Sequence, residues 1–112
     1  MFTSIQNLLA AKFLIEDSKR WTTGKFARNT YGISVDSCDE EATCHCSLGA
    51  LCKIIGSEDY AMDSIEKIYL AEAANELFDM GVALANDTYG HSAAMAMYDH
   101  AIEEAMFQTR LE

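Results

Sequence analysis

The chain has 112 residues, half of them hydrophobic, and a formal net charge of −10 with no proline. That composition is enough for one buried core, which argues against disorder and for a single domain over residues 1–112; the negative field argues against direct binding to a phosphate backbone. No apolar run approaches the roughly 18 residues of a membrane span, and no basic patch followed by an apolar run marks secretion, so a soluble, cytoplasmic protein is expected.

Ser4 to Lys19 reads as a first helix, with Ile5, Leu8, Leu9 and Phe13 recurring at helical spacing and Thr3 or Ser4 available as its cap. Trp21 follows a charged turn, Lys25–Arg28 reads as a short helical piece, and Asn29–Gly32 as a turn. Ile33–Val35 alternates like half of a small hairpin. A helix is expected from Glu41 or Ala42 to Ile55, placing Cys44, Leu48, Leu51 and Ile55 on one face and Gly49-Ala50 at a close helix contact. Gly56-Ser57 ends it, and a long helix then runs from 59 to 80, with Met62, Ile65, Ile68/Tyr69, Ala73, Leu77 and Met80 inward and Gly81 as its stop. Val82–Ala85 is a short apolar segment, Asn86–Gly90 a turn, and Ser92 the cap of a final helix to about Arg110. The fold class expected from these elements is mainly α, a compact bundle of about four helices with short helical or hairpin pieces around residues 21–40.

The charge is unevenly distributed. Residues 1–56 carry six acids against six bases, whereas residues 57–112 carry twelve acids against Lys67 and Arg110. Glu66, Glu72, Glu76 and Asp79 on the long helix, with Asp99, Glu103 and Glu104 on the last, are candidates for a protein-binding surface. A basic partner protein would be attracted to them; an ordinary solvated face is the plainer alternative.

Four cysteines follow the pattern Cys38-x5-Cys44-x-Cys46-x5-Cys52. Zinc sites favour C-x2–4-C knuckles, and a Cys44-His45-Cys46 run within a helix would aim its side chains apart. Cys38, Cys44, His45 and Cys46 are therefore only weak metal candidates, and small buried packing groups are the better account. Asp87 and His91 are weak acid–base candidates, four apart across the expected turn, and local capping by Asn86 and Asp87 competes with that role. No cofactor motif is present in the sequence, so no cofactor is expected, and a homodimer is compatible with the composition.

Trp21-x2-Gly24-x2-Ala27, Gly32, Cys46-Ser47-Leu48-Gly49-Ala50 and Asn86-Asp87 before an alanine-rich last helix resemble a family of small bacterial and phage proteins known only as a domain of unknown function. The resemblance covers about residues 5 to 105, and its recurrent positions map to Trp21, Gly24, Cys46, Gly49, Ala50, Asn86 and Asp87. It implies an intact domain and a phage or bacterial origin, and no mechanism. Asn86–His91 is also similar to the N-D-x-x-G-H stretch of diguanylate cyclase domains. The chain lacks that domain's Gly-Gly-acidic-acidic-Phe hairpin and its metal-binding aspartate strand, so the similarity is coincidental. The leading expectation is a non-enzymatic interaction or regulatory module, such as a phage-encoded inhibitor of a basic host protein. The alternatives are a small enzyme or ligand-binding domain with a pocket near Trp21, Cys46, Asp87 and His91, and a zinc-stabilised structural domain.

Overall fold

The computed structural model describes residues 3–111, which form α1 (Ser4–Ile15), a 3-10 turn (Ser18–Arg20), β1 (Ala27–Arg28), β2 (Cys44–His45), α2 (Ser47–Ile55), α3 (Glu58–Met62), α4 (Ile65–Phe78), α5 (Val82–Tyr89) and α6 (His91–Leu111). The fold is mainly α, but the described residues form six α-helices, so the expectation of about four is corrected.

Two local causes raise the number. The helix expected over 59–80 is cut at Asp63-Ser64, where the Ser64 hydroxyl donates to the Ala61 carbonyl (2.6 Å) and accepts from Lys67 N–H (3.1 Å). That hydroxyl closes one helix and caps the next. Asn86-Asp87 lies inside α5, where a turn was expected, because the Asn86 side chain is held by groups distant in sequence rather than by its own backbone.

The pieces between α1 and α2 also differ from expectation. Lys25–Arg28 forms no helix; Ala27-Arg28 pairs antiparallel with Cys44-His45. This pairing keeps Cys44 and His45 extended, so α2 starts at Ser47 rather than at residue 41 or 42. Ile33–Val35 folds back on the same segment through an Arg28–Ser34 bridge and a bond from Val35 N–H to the Ala27 carbonyl.

Thr3 caps α1 in a reciprocal box with Gln6. Leu8, Ala11 and Ile15 of α1 are fully buried. Lys12 Nζ meets Asp99 Oδ1 at 2.7 Å, and the Ile15 carbonyl meets His91 Nε2 at 2.7 Å, so α1 lies antiparallel to α6. The inward side of α6 carries Ala94, Met97, Tyr98, Ala101 and Ala105, and α4 adds Leu70, Ala73 and Ala74, whereas Ile65, Ile68 and Leu77, expected inward, are exposed. Alanines at these contacts let the helices approach closely. Leu48, Ala50, Leu51 and Cys52 of α2 complete the same hydrophobic cluster. Among the described residues no helix is long and apolar enough to cross a membrane.

Candidate functional site

The most concentrated polar chemistry lies between α2, α5 and the segment after α1. Its centre is Asn86, fully buried on the inner face of α5 beside Val82 and Ala85. The Asn86 Oδ1 accepts from Trp21 Nε1 (2.8 Å), Ser47 N–H (3.0 Å) and the Ser47 hydroxyl (2.7 Å). Its Nδ2 donates to the Thr22 carbonyl (3.1 Å) and to Asp87 Oδ1 (3.0 Å). Both amide hydrogens are thus in use, and the oxygen carries three bonds. Tyr98, also fully buried, donates from its hydroxyl to the Ser47 carbonyl at 2.6 Å, and burial pushes its phenol well above the ordinary range.

Asp87 extends the network outward by accepting Gly24 N–H at 3.1 Å. His91 stands edge-on to Trp21, with ring centroids 5.6 Å apart, while its Nε2–H donates to the Ile15 carbonyl. Asp87 and His91 therefore hold different partners. Trp21 and Asp87 do meet at Asn86, His91 joins them only through the Trp21 ring, and Cys46 precedes Ser47 at the start of α2. The cleft that touches both Cys46 and Asp87 is about 90 Å³, is also lined by Gly24, Lys25, Phe26 and Ala83, and does not reach Trp21 or His91.

The cysteines and His45 are dispersed among separate partners. Cys46 caps α2 by accepting Gly49 N–H at 3.3 Å, and burial pushes its thiol up. Burial also pushes the Cys52 thiol up to about 12. Cys38 lies near the Cys52 carbonyl, with its thiol raised by burial and then by Asp36. Cys44 faces the Arg28 carbonyl at 3.8 Å. His45 is buried, with Nε2 3.0 Å from the Ser37 carbonyl, and burial lowers its pKa. Among the described residues no group of three or more His, Cys, Asp or Glu side chains could hold a metal ion.

Gly49 explains why α2 sits where it does. A Cβ at this position would lie 1.9 Å from the Phe26 carbonyl oxygen, so only glycine admits the β1 approach segment. At Gly49 the close contact, expected to be with another helix, is with extended backbone.

The acidic candidates separate by environment. Glu66 is buried and accepts from the Asn7 amide at 2.7 Å. Asp99 pairs with Lys12, whose pKa is raised by that hydrogen bond. Glu76 meets His100 at 2.7 Å while its side chain stays largely exposed. Glu72, Asp79 and Glu103 are exposed, and Glu104 is half-buried. Asp79 ends α4 in the left-handed conformation at φ 56°.

The roles of Ser47 and Tyr98 were not legible as a network in the sequence. One signal was available: Asn86 occupies an apolar-face position, four residues after Val82 and one after Ala85, where a polar side chain must find buried partners.

No curated protein and no solved structure matches the chain. A family model described as a family of unknown function (DUF6197) matches residues 2–104. The seven positions carrying the sequence resemblance form two groups: Trp21 and Asp87 bond Asn86, with Gly24 bonded to Asp87, and Cys46 caps Gly49 beside buried Ala50. With residues 2–104 matched, the chain belongs to the DUF6197 family of unknown function.

Proposed function

We propose that this protein is a non-enzymatic interaction module, acting in the cytoplasm, that offers an acidic surface with apolar anchors to a basic partner protein. The observation that carries this reading is the outward side of α4. Ile65 and Ile68 are each 49% exposed there, on the same helix as exposed Glu72 and Glu76. Uncovered aliphatic side chains among carboxylates match the composition of a docking surface, with apolar contact for affinity and charge for steering. Exposed Glu103 and Phe107 on α6 add to the same composition. An inhibitor of a basic host protein is one role such a surface serves.

The enzyme or ligand-binding alternative draws on the gathering of Trp21, Asp87 and His91. Against it, Asn86 is saturated with hydrogen bonds, Cys46 is a buried capping thiol with a raised pKa, and the adjoining cleft is small. That arrangement supports an architectural role for the hub.

The test is binding of a ten-residue arginine peptide, followed by calorimetry in low and high salt. Wild-type protein should bind with salt-sensitive affinity. Glu72→Lys with Glu76→Lys should weaken binding about tenfold or more, the equivalent of roughly 1.4 kcal/mol. Unchanged affinity in the double variant would overturn the assignment of this surface.

A further inference from the structure

A second exposed feature lies far along the chain from α4. The Asn29–Ser34 loop carries Tyr31, 86% exposed, and Ile33, 60% exposed, at its tip. Exposed loop tips are commonly loose, but this one is fastened. Asn29 Oδ1 accepts the N–H groups of Tyr31 (2.9 Å) and Ile33 (3.0 Å). Backbone bonds join Asn29 N–H to the Ile33 carbonyl and Gly32 N–H to the Asn29 carbonyl, each 2.9 Å. Gly32, at φ 77°, supplies the left-handed step that the turn needs. Arg28 Nη1 donates to the Gly32 carbonyl at 3.0 Å, and Nη2 donates to Thr23 at 3.0 Å, tying the tip to the segment beside the Asn86 hub.

Beside Tyr31 is an open cleft of about 280 Å³, lined by Asn29, Thr30, Tyr31, Glu40, Glu41 and Thr43. Its opposite wall is equally fixed: Thr43 N–H donates to the Arg28 carbonyl at 2.9 Å, and Glu41 N–H donates to Asp39 Oδ1 at 2.8 Å. The cleft is therefore lined by an exposed tyrosine and two exposed glutamates on a hydrogen-bonded frame. No base lines the cleft, and Arg28, next to Asn29 in the chain, is committed to Thr22, Thr23 and Gly32. A neutral apolar occupant would strip water from two carboxylates without compensation, and an anion would be repelled. A cation on a slender apolar stem fits both walls, through cation–π contact with the ring and charge pairing with the acids.

We propose that the cleft between Tyr31 and the Glu40-Glu41 turn receives a lysine or arginine side chain of a basic partner protein. This rests on the reading of the protein as a binder of basic partners and adds a second, geometrically defined contact away from α4. The preformed loop lowers the ordering cost of that contact.

The probe is the blocked tripeptide acetyl-Gly-Arg-Gly-amide, titrated into the full chain and followed by amide shifts in ¹H–¹⁵N spectra. The expected result is saturable shifts at residues 30–33 and 40–43, with none for the glutamine peptide. Tyr31→Ala, which removes almost no packing, should weaken binding about two- to fivefold. Glu40→Gln with Glu41→Gln should weaken it further, while Glu72→Lys with Glu76→Lys should leave these shifts unchanged. Absence of shifts in 30–43, or equal affinity in Tyr31→Ala, overturns the cleft. Shifts confined to α4 and α6 also overturn it but leave the basic-partner reading intact, since that reading fails separately if the α4 double variant binds the arginine peptide normally.

Discussion

The Asn86 hub and the outward side of α4 are both polar regions of one small protein, and they use their polar groups in opposite ways. At the hub every hydrogen-bonding atom of Asn86 is occupied inside the chain, by Trp21, Thr22, Ser47 and Asp87. On α4, Glu72 has no such engagement, and Ile65 and Ile68 remain half uncovered. Buried polar atoms are tolerated only when bonded, so a saturated network specifies how elements meet. Polar and apolar groups left facing water are available to a partner. The contrast underlies the proposal that the hub is architectural and the acidic face meets a partner.

The largest way to disturb the comparison is at the hub. Asn86→Ala would strand the Trp21 indole N–H, both Ser47 donors and the Thr22 carbonyl, and should cost on the order of 3–5 kcal/mol in urea unfolding. A loss below about 1 kcal/mol would show that the network is not architectural. Gly49→Ala should be nearly as damaging, at about 3 kcal/mol, because the added methyl meets the Phe26 backbone and not a side chain that can swing away.

A smaller effect distinguishes the neighbouring buried imidazole. His45 has a lowered pKa through burial, so the unfolded chain binds its proton first as pH falls. Stability should therefore decline as pH drops below about 6.5, by up to roughly 1.4 kcal/mol per pH unit, and level off below the native value. His45→Gln should remove this contribution to the slope between about pH 6.5 and 5 in a series of unfolding curves. The smallest stability effect belongs to α4: Glu72→Lys with Glu76→Lys should shift unfolding by no more than about 0.5 kcal/mol, since Glu72 is exposed and the Glu76–His100 pair is at the surface.

What could be read in the sequence follows the range of the forces involved. The bodies of α2 and α4 and the stop at Gly56 were legible because they depend on local periodicity and a left-handed cap at φ 92°. The break at Ser64 was not, since serine fits a helix surface as readily as a cap until its hydroxyl is seen bridging Ala61 and Lys67. Asn86-Asp87 carried turn propensity, and contacts from Trp21 and Ser47 overrode it. Cys44-His45 lost its expected helix to pairing with Ala27-Arg28, a partner sixteen to eighteen residues away. The sequence marks Trp21, Cys46, Asp87 and His91 as a group, yet the buried amide that joins Trp21 to Asp87 is found only in three dimensions. Of the acids, pattern alone could not separate buried Glu66 from exposed Glu72, six residues further along the same helix.

The central claim, that the exposed acids of α4 bind while the hub builds, is tested most directly by measuring arginine-peptide affinity and the urea midpoint together in the Glu72→Lys, Glu76→Lys variant. The account predicts about a tenfold loss of affinity with a midpoint unchanged within error. Undiminished affinity in a variant that remains folded would contradict it.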